Sequence, residues 1–364
     1  MVPERGASMT NKHAACPKCR LILLASIGKL SPMNQSTPLS RRFGFIALAA
    51  FGTLAALASG AAQAEFPDKP IRLIVPFSPS GSTDLAARLI AEYAGRVLGQ
   101  AIVVDNRAGA GGSLGMEQVA RSRPDGYTLG MATMSTHGSN AAAYGSRLKY
   151  DPLKDFSPVT NVATVPGVFA VNANFAAKTM PELLAMAKKE PGKITFASPG
   201  TGSLGHANVE YFSSLAKVQL LHVPYKGSGM ALNDAVAGQV DAITDNLPSA
   251  LPHIQSGRLR ALAVLSDKRS PALPNVPTYG ELGFPEMGNG GWFGVVAPAG
   301  TPPQIVLKLN QAIHTAMQQP DFIKKMDEAG ARLIPNTPAQ FQAQIEQAVA
   351  RYAAVARVAK ISAE

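Results

Sequence analysis

Four stretches of the chain concentrate glycine with hydroxyl side chains: Ser78–Asp84, Arg107–Gly115, Ser198–His206 and Tyr225–Gly229. Each sits where a short apolar run gives way to a helical pattern. A turn of that kind presents unpaired backbone N–H groups and the positive end of a helix dipole, which together hold anions. In open α/β sheets the same edge is where ligands bind. One such turn is as readily explained by loop geometry. Four of them, spread over two runs of elements, point to an anion site between two lobes.

More specific chemistries lack their partners. Gly200-Thr201-Gly202-Ser203-Leu204-Gly205 spells G-x-G-x-x-G, but a dinucleotide site needs an acid about 20 residues further on. Val223-Pro224-Tyr225-Lys226 stand there instead, and the turn does not follow the first strand of a fold. No G-x-x-x-x-G-K-[ST] phosphate loop occurs either. Ser203 and His206 lie three residues apart at a helix start, close enough to sit side by side. Without a G-x-S-x-G elbow or a positioned acid they make no catalytic set. His206 is therefore read as a structural or ligand-donating histidine. His137, His222 and His253 have neither H-x-x-H nor H-E-x-x-H spacing, so no metal is expected. With one tryptophan, 6% aromatic residues and no basic patch interleaved with aromatics, nucleic acid is not an expected partner. No cofactor and no catalysis are expected.

The elements that must position these turns alternate. Ile71–Val75 reads as a strand, and a helix follows from Thr83-Asp84 with Leu85, Leu89, Tyr93 and Val97 as a stripe. Strands at 102–104 and 127–131 flank a helix over about 114–122. A less regular stretch covers 150–178. Then come strand 194–197, helix 203–216, strand 219–223, helix 229–237, strand 240–244, helix 248–256 and strand 259–265. Such alternation means βαβ units and mainly parallel sheets. Trp292–Val296 reads as a further strand, followed by helices at 303–318, 320–328 and 338–358, the last with Phe341, Ile345, Val349, Tyr352 and Val355 on one face.

Composition sets the compartment. Apolar residues make up 46% and charged residues 16% of the 364, which excludes disorder. The net charge of +10 is largely an N-terminal feature: without residues 1–64 the chain keeps 27 bases and 23 acids, a net of +4. Arg41-Arg42 precedes an apolar run from Phe43 to Ala58, too short for a comfortable span, and Ala62-Gln63-Ala64 supplies a signal-peptidase site. Cleavage after Ala64 is expected, so the mature, exported chain would begin at Glu65. Cys16 and Cys19 lie upstream of that cut and lack the context of a redox or zinc motif.

A resemblance is carried by specific segments. Pro70–Phe77, Gly81-Ser82-Thr83-Asp84, Asn106–Gly112 and Pro124–Leu129 resemble the Bug family, periplasmic substrate-binding receptors of tripartite tricarboxylate transporters. Asp155–Val159, His222–Gly227, Gly257–Ala263 and Pro298–Pro302 continue the match, which covers essentially all of 65–364. The resemblance implies a two-lobed periplasmic-binding-protein (Venus flytrap) fold that closes on a small carboxylate, a di- or tricarboxylate, amino acid or related organic acid. It also implies delivery to the transporter's membrane subunits by a monomeric receptor. The alternative function on the same fold is ligand sensing, with signalling to a membrane histidine kinase. The expected ligand contacts are Phe77, Ser78, Ser82 and Thr83 from lobe one and Thr201, Gly202, Ser203 and His206 from lobe two. Tyr225, Lys226 and Asp245 complete the rim, with Asp245 either pairing a ligand ammonium or capping the helix at 248. Lobe one should comprise 65–167 with the return 291–364, and lobe two 168–290. Ser80 departs from the family pattern, which usually has two glycines at Ser80-Gly81; a positive φ at Ser80 would carry a local cost and reshape the ligand loop.

Overall fold

The computed structural model describes residues 65–288, 290–359 and 361–362. The signal segment, the cut after Ala64, Cys16 and Cys19 lie outside the described residues. In chain order the elements are β1 (Ile71–Val75), α1 (Ser82–Leu98), β2 (Ile102–Asn106), α2 (Ser113–Ala120), β3 (Thr128–Thr133), α3 (Asn140–Tyr144), β4 (Phe156–Val165) and β5 (Gly167–Asn172). They continue with α4 (Met180–Lys189), β6 (Thr195–Ser198), α5 (Leu204–Ala216), β7 (Leu221–Pro224), α6 (Ser228–Ala237), β8 (Ala242–Asn246), α7 (Leu247–Gln255) and β9 (Leu259–Leu265). The chain returns through β10 (Gly291–Pro298), α8 (Pro303–Met317), α9 (Pro320–Glu328), β11 (Arg332–Leu333) and α10 (Pro338–Val355).

Two sheets result, one per lobe of a two-lobed α/β fold: β11-β4-β10-β3-β1-β2 and β7-β6-β8-β5-β9. The expectation of mainly parallel sheets is corrected here, because both sheets are mixed. Pairing is parallel among β1, β2 and β3 and among β6, β7 and β8. It is antiparallel wherever β4, β5 or β10 takes part. The cause lies in the stretch 150–178, expected to be less regular. It forms β4 and β5, which run from one sheet directly into the other with only Pro166 between them. No helix intervenes, and each of the two strands then runs antiparallel to its partners in its own sheet, β4 to β10 and β11 and β5 to β8 and β9. The second passage, before β10, lies beside the first: a side chain at Gly290 would collide with the Val165 carbonyl and come within 2.9 Å of the Leu265 carbonyl.

Each sheet is buried on both faces. Ile71, Leu73 and Val75 of β1 pack on Ala86, Leu89, Ile90 and Tyr93 of α1. The alternate residue, Ile74, faces Met116, Val119, Trp292, Phe341 and Ile345. Helix α10 supplies the last two, as its apolar face predicts, and starts with a capping box between Thr337 and Gln340. In α1 the expected stripe is only half right: Leu89 and Tyr93 are buried, while Leu85 and Val97 are exposed. A spacing of four drifts off a 3.6-residue face, and Ala86, Ala87, Ile90 and Ala94 fill the true one. Helix α4 was not expected; its start is marked by Thr179, whose hydroxyl accepts from the Glu182 amide.

Candidate functional site

A cavity of about 40 Å³ lies where the C-terminal edges of the two sheets face each other. Lobe one lines it with Phe77, Ser82, Thr83, Thr133 and Ser135, lobe two mainly with Gly205, Asn208, Ser228, Thr244 and Asp245. No lysine, arginine or histidine lines it among the described residues. Charge must therefore come from helix termini and from Asp245.

The first turn of α1 is built to expose donors. Its cap, Gly81, has no side chain, and Leu85 is the first amide to bond inside the helix, to the Gly81 carbonyl. The amides of Ser82 and Thr83 thus have no partner in the helix, and the described residues supply none. The Thr83 hydroxyl is likewise unengaged and lines the cavity. Behind this turn, Asp84 braces the loop: it accepts from the Ser80 amide at 3.1 Å, from Arg88 Nε at 2.8 Å and from Asn106 Nδ2 at 2.9 Å. Burial pushes its pKa up, but those donors outweigh burial and hold it below the usual carboxylate range. Ser80 adopts a positive φ, 67°, the conformation that carries a local cost for a residue other than glycine.

Helix α5 handles its first turn differently. The Ser203 hydroxyl caps it by accepting from the His206 amide at 3.3 Å, and the Ser203 amide donates to the Gly200 carbonyl. The Leu204 amide donates across the lobes to Ser135 Oγ at 3.0 Å. Only the Gly205 amide remains of the four, and Gly205 lines the cavity. Glycine suits the close approach there: a Cβ would sit a tight 3.1 Å from both Thr244 Cγ2 and the Thr244 carbonyl.

The other expected contacts fall around this cavity in distinct places. Phe77, Ser82, Thr83 and Asp245 line it. Ser78 sits at the lobe contact, its amide donating to the Lys226 carbonyl at 3.2 Å and its hydroxyl buried without a partner among the described residues. Gly202 and Ser203 lie behind the cavity wall, where the Gly202 carbonyl accepts from Ser139. Thr201, Tyr225 and Lys226 line a separate, more open cleft of about 300 Å³ with Gly111 and Tyr144. Tyr225 donates there to Asp234 at 2.6 Å, and burial together with that carboxylate pushes its pKa up to about 12.

His206 also turns away from the cavity. Its Nδ1 accepts from the Gly202 amide at 3.2 Å, and its ring stacks on His222 with centroids 4.1 Å apart. Burial pushes His206 down to about 4 and His222 to about 3, so both rings are neutral at ordinary pH. The pair links the 198–206 loop to β7, where His222 Nε2 lies 2.7 Å from Ser198 Oγ.

Asp245 is buried at the cavity edge, with Oδ1 accepting from Ser228 at 2.6 Å and Oδ2 from Ser249 at 2.5 Å. Burial, with no cation beside it, pushes its pKa up to about 6 against those hydrogen bonds. It does not cap α7 itself, since Asn246 occupies that position.

Sequence reasoning missed Thr133, Ser135, Asn208 and Ser228. A signal existed for the first two: Thr133–Ser139 is one more strand end rich in hydroxyls and glycine. Ser228 lies within the Tyr225–Gly229 turn already singled out but was not named as a contact, whereas Asn208 carries no such mark, because its facing the cavity depends on how α5 docks.

Comparisons with known proteins agree with the fold. The sequence profile of the tripartite tricarboxylate transporter family receptor matches residues 86–360. Protein BugT of Bordetella pertussis is 40% identical over 307 residues, 84% of this chain and 94% of that protein. The structure of MatC from Rhodopseudomonas palustris with bound malate is similar at 34% identity and TM-score 0.77, covering 80% of this chain and 100% of that one. An R. palustris protein with adipate is similar at 36% identity and TM-score 0.78, covering 82% and 99%. The chain accordingly belongs to the Bug family, the periplasmic solute-binding receptors of tripartite tricarboxylate transporters, and is not an enzyme.

Proposed function

We propose that the chain captures a small carboxylate by closure of its two lobes and delivers it to the membrane subunits of a tripartite tricarboxylate-type transporter. The observation that carries this reading is the set of unpaired first-turn amides on two facing helices, Ser82 and Thr83 of α1 and Gly205 of α5, around one cavity. Helix N-termini and neutral donors attract a carboxylate without a lysine or arginine. The Thr83 hydroxyl adds a donor of the strength given by a charge-assisted bond. The moving bodies in this reading are 65–167 with 291–364, and 168–290. The two adjacent passages at Pro166 and Gly290 form the hinge. Malate and adipate, held by two similar structures, are the natural first probes. Mass spectrometry of small molecules released from freshly purified protein tests the reading: a carboxylic acid is expected, and a tightly held molecule with no acid group overturns it.

A further inference from the structure

Ser249, in the first turn of α7, lies outside the cavity lining yet touches both lobes. Its Oγ is 2.7 Å from Ser82 Oγ of lobe one and 2.5 Å from Asp245 Oδ2 of lobe two. The Asn246 carbonyl lies at 3.0 Å as a weaker acceptor. A serine hydroxyl has one proton to give. An ionised carboxylate only accepts, and a 2.5 Å contact is typical of a hydroxyl donating to one. Ser249 therefore donates to Asp245, and the proton between the two serines must come from Ser82. Ser228 completes the arrangement by donating to the second oxygen of Asp245.

The direction of these bonds has a consequence for the ligand site. The Ser82 hydroxyl is engaged across the cleft and is not offered to a ligand, whereas the Ser82 amide remains open. The surroundings are equally close: a Cβ on Gly81 would stand 3.3 Å from Ser228 Cβ, and one on Gly227 would collide with Ser78. Separation of the lobes would part Ser82 from Ser249 and leave Asp245 with its two serines on lobe two alone.

We propose that Ser249 is a positioning residue of the clamp: by accepting from Ser82 and donating to Asp245 it closes a one-way hydrogen-bond relay that exists only when the lobes meet. The relay holds the first turn of α1 in register against lobe two, and so keeps the Ser82, Thr83 and Gly205 amides aimed at one point. This proposal rests on the reading of the chain as a closing carboxylate clamp.

The test reads the interlobe distance by single-molecule energy transfer. Dyes go on cysteines placed at Val97 and Leu221, both exposed, with Cys16 and Cys19 replaced by serine. Malate and adipate serve as the probes. In Ser249→Ala the ratio of closed to open molecules should fall about tenfold, the scale of one hydrogen bond coupled to a charge. Ser249→Thr should restore it, and Ser82→Ala with Ser249→Ala together should be no worse than either alone. A wild-type chain that closes while Ser249→Ala closes equally well, or losses that add in the double variant, overturns the relay and leaves the clamp standing. A wild-type chain with one interlobe distance in the presence of either acid overturns both.

Discussion

The turns that open α1 and α5 look alike as sequence and act differently as structure. Both follow a strand, both are rich in glycine and hydroxyls, and both end at a helix N-terminus beside the cavity. At α1 the cap is a glycine, so the Ser82 and Thr83 amides and the Thr83 hydroxyl stay open. At α5 a serine caps the helix, a serine of the other lobe takes a second amide, and one donor is left. The difference separates open donors from braced ones: a hydroxyl facing an orphaned amide stabilises the helix, and a hydroxyl facing away from it stays free to bond elsewhere. The buried acids of the two lobes divide in the same way. Asp84 has an arginine and an asparagine beside it and its pKa is held down, while Asp245 has only hydroxyls and a backbone amide and its pKa is pushed up.

The largest expected effect comes from Asp245. Its folded value of about 6 exceeds the ordinary 3.8, so the folded state holds the proton more tightly than the unfolded chain. The group's destabilising share is fully present well above pH 6 and disappears as pH falls toward 4, by roughly 3 kcal/mol in all. The stability of the wild-type chain relative to Asp245→Asn should thus improve by that order between pH 7 and pH 4 in denaturant titrations. A difference independent of pH would show that the acid is not held as this surrounding implies. Asp84 predicts the opposite sign, with stability lost as pH falls below the usual carboxylate range.

Next in size is Thr83→Ala, which should weaken binding of a carboxylate roughly tenfold to a hundredfold, the loss of one charge-assisted donor. The melting temperature of the empty protein should hardly change. Calorimetric titration with malate and adipate, beside thermal melts, would reveal either a structural role or the expected ligand role.

Ser203→Ala should do the reverse. Loss of a serine cap costs about 1 kcal/mol of stability, and the hydroxyl does not line the cavity, so affinity should change far less than in Thr83→Ala. If Ser203→Ala proved the more damaging to affinity, the contrast between the two turns would fail.

The smallest effect expected is a gain. Ser80 holds a left-handed conformation that glycine adopts freely, and its bond to Asp84 uses only the backbone amide. Ser80→Gly should therefore raise stability by about 0.5–1 kcal/mol, read as an increase of a few degrees at most in melting temperature. A lower melting temperature would mean that the serine side chain itself braces the loop.

Much of the fold was legible in the residues. Apolar runs with helical or strand periodicity place most elements, since burial of one face is a local property of the sequence, but they leave out α3, β4, β5, α4 and β11. The segments from Pro70–Phe77 to Pro298–Pro302 indicate the family, and a strand at Trp292–Val296 after the second lobe indicates that the chain returns. The turns that hold the site were legible for the same reason, because a helix start must leave four amides unpaired whatever surrounds it. Tertiary structure alone decided how those amides and hydroxyls are used. Ser135 takes the Leu204 amide from 69 residues away, and Ser82 meets Ser249 across 167. The same holds for the mixed sheets, whose antiparallel strands β4, β5 and β10 no periodicity orients. A hydrogen bond satisfies its donor with whichever acceptor packing brings within 3 Å or so, and sequence spacing does not record that meeting.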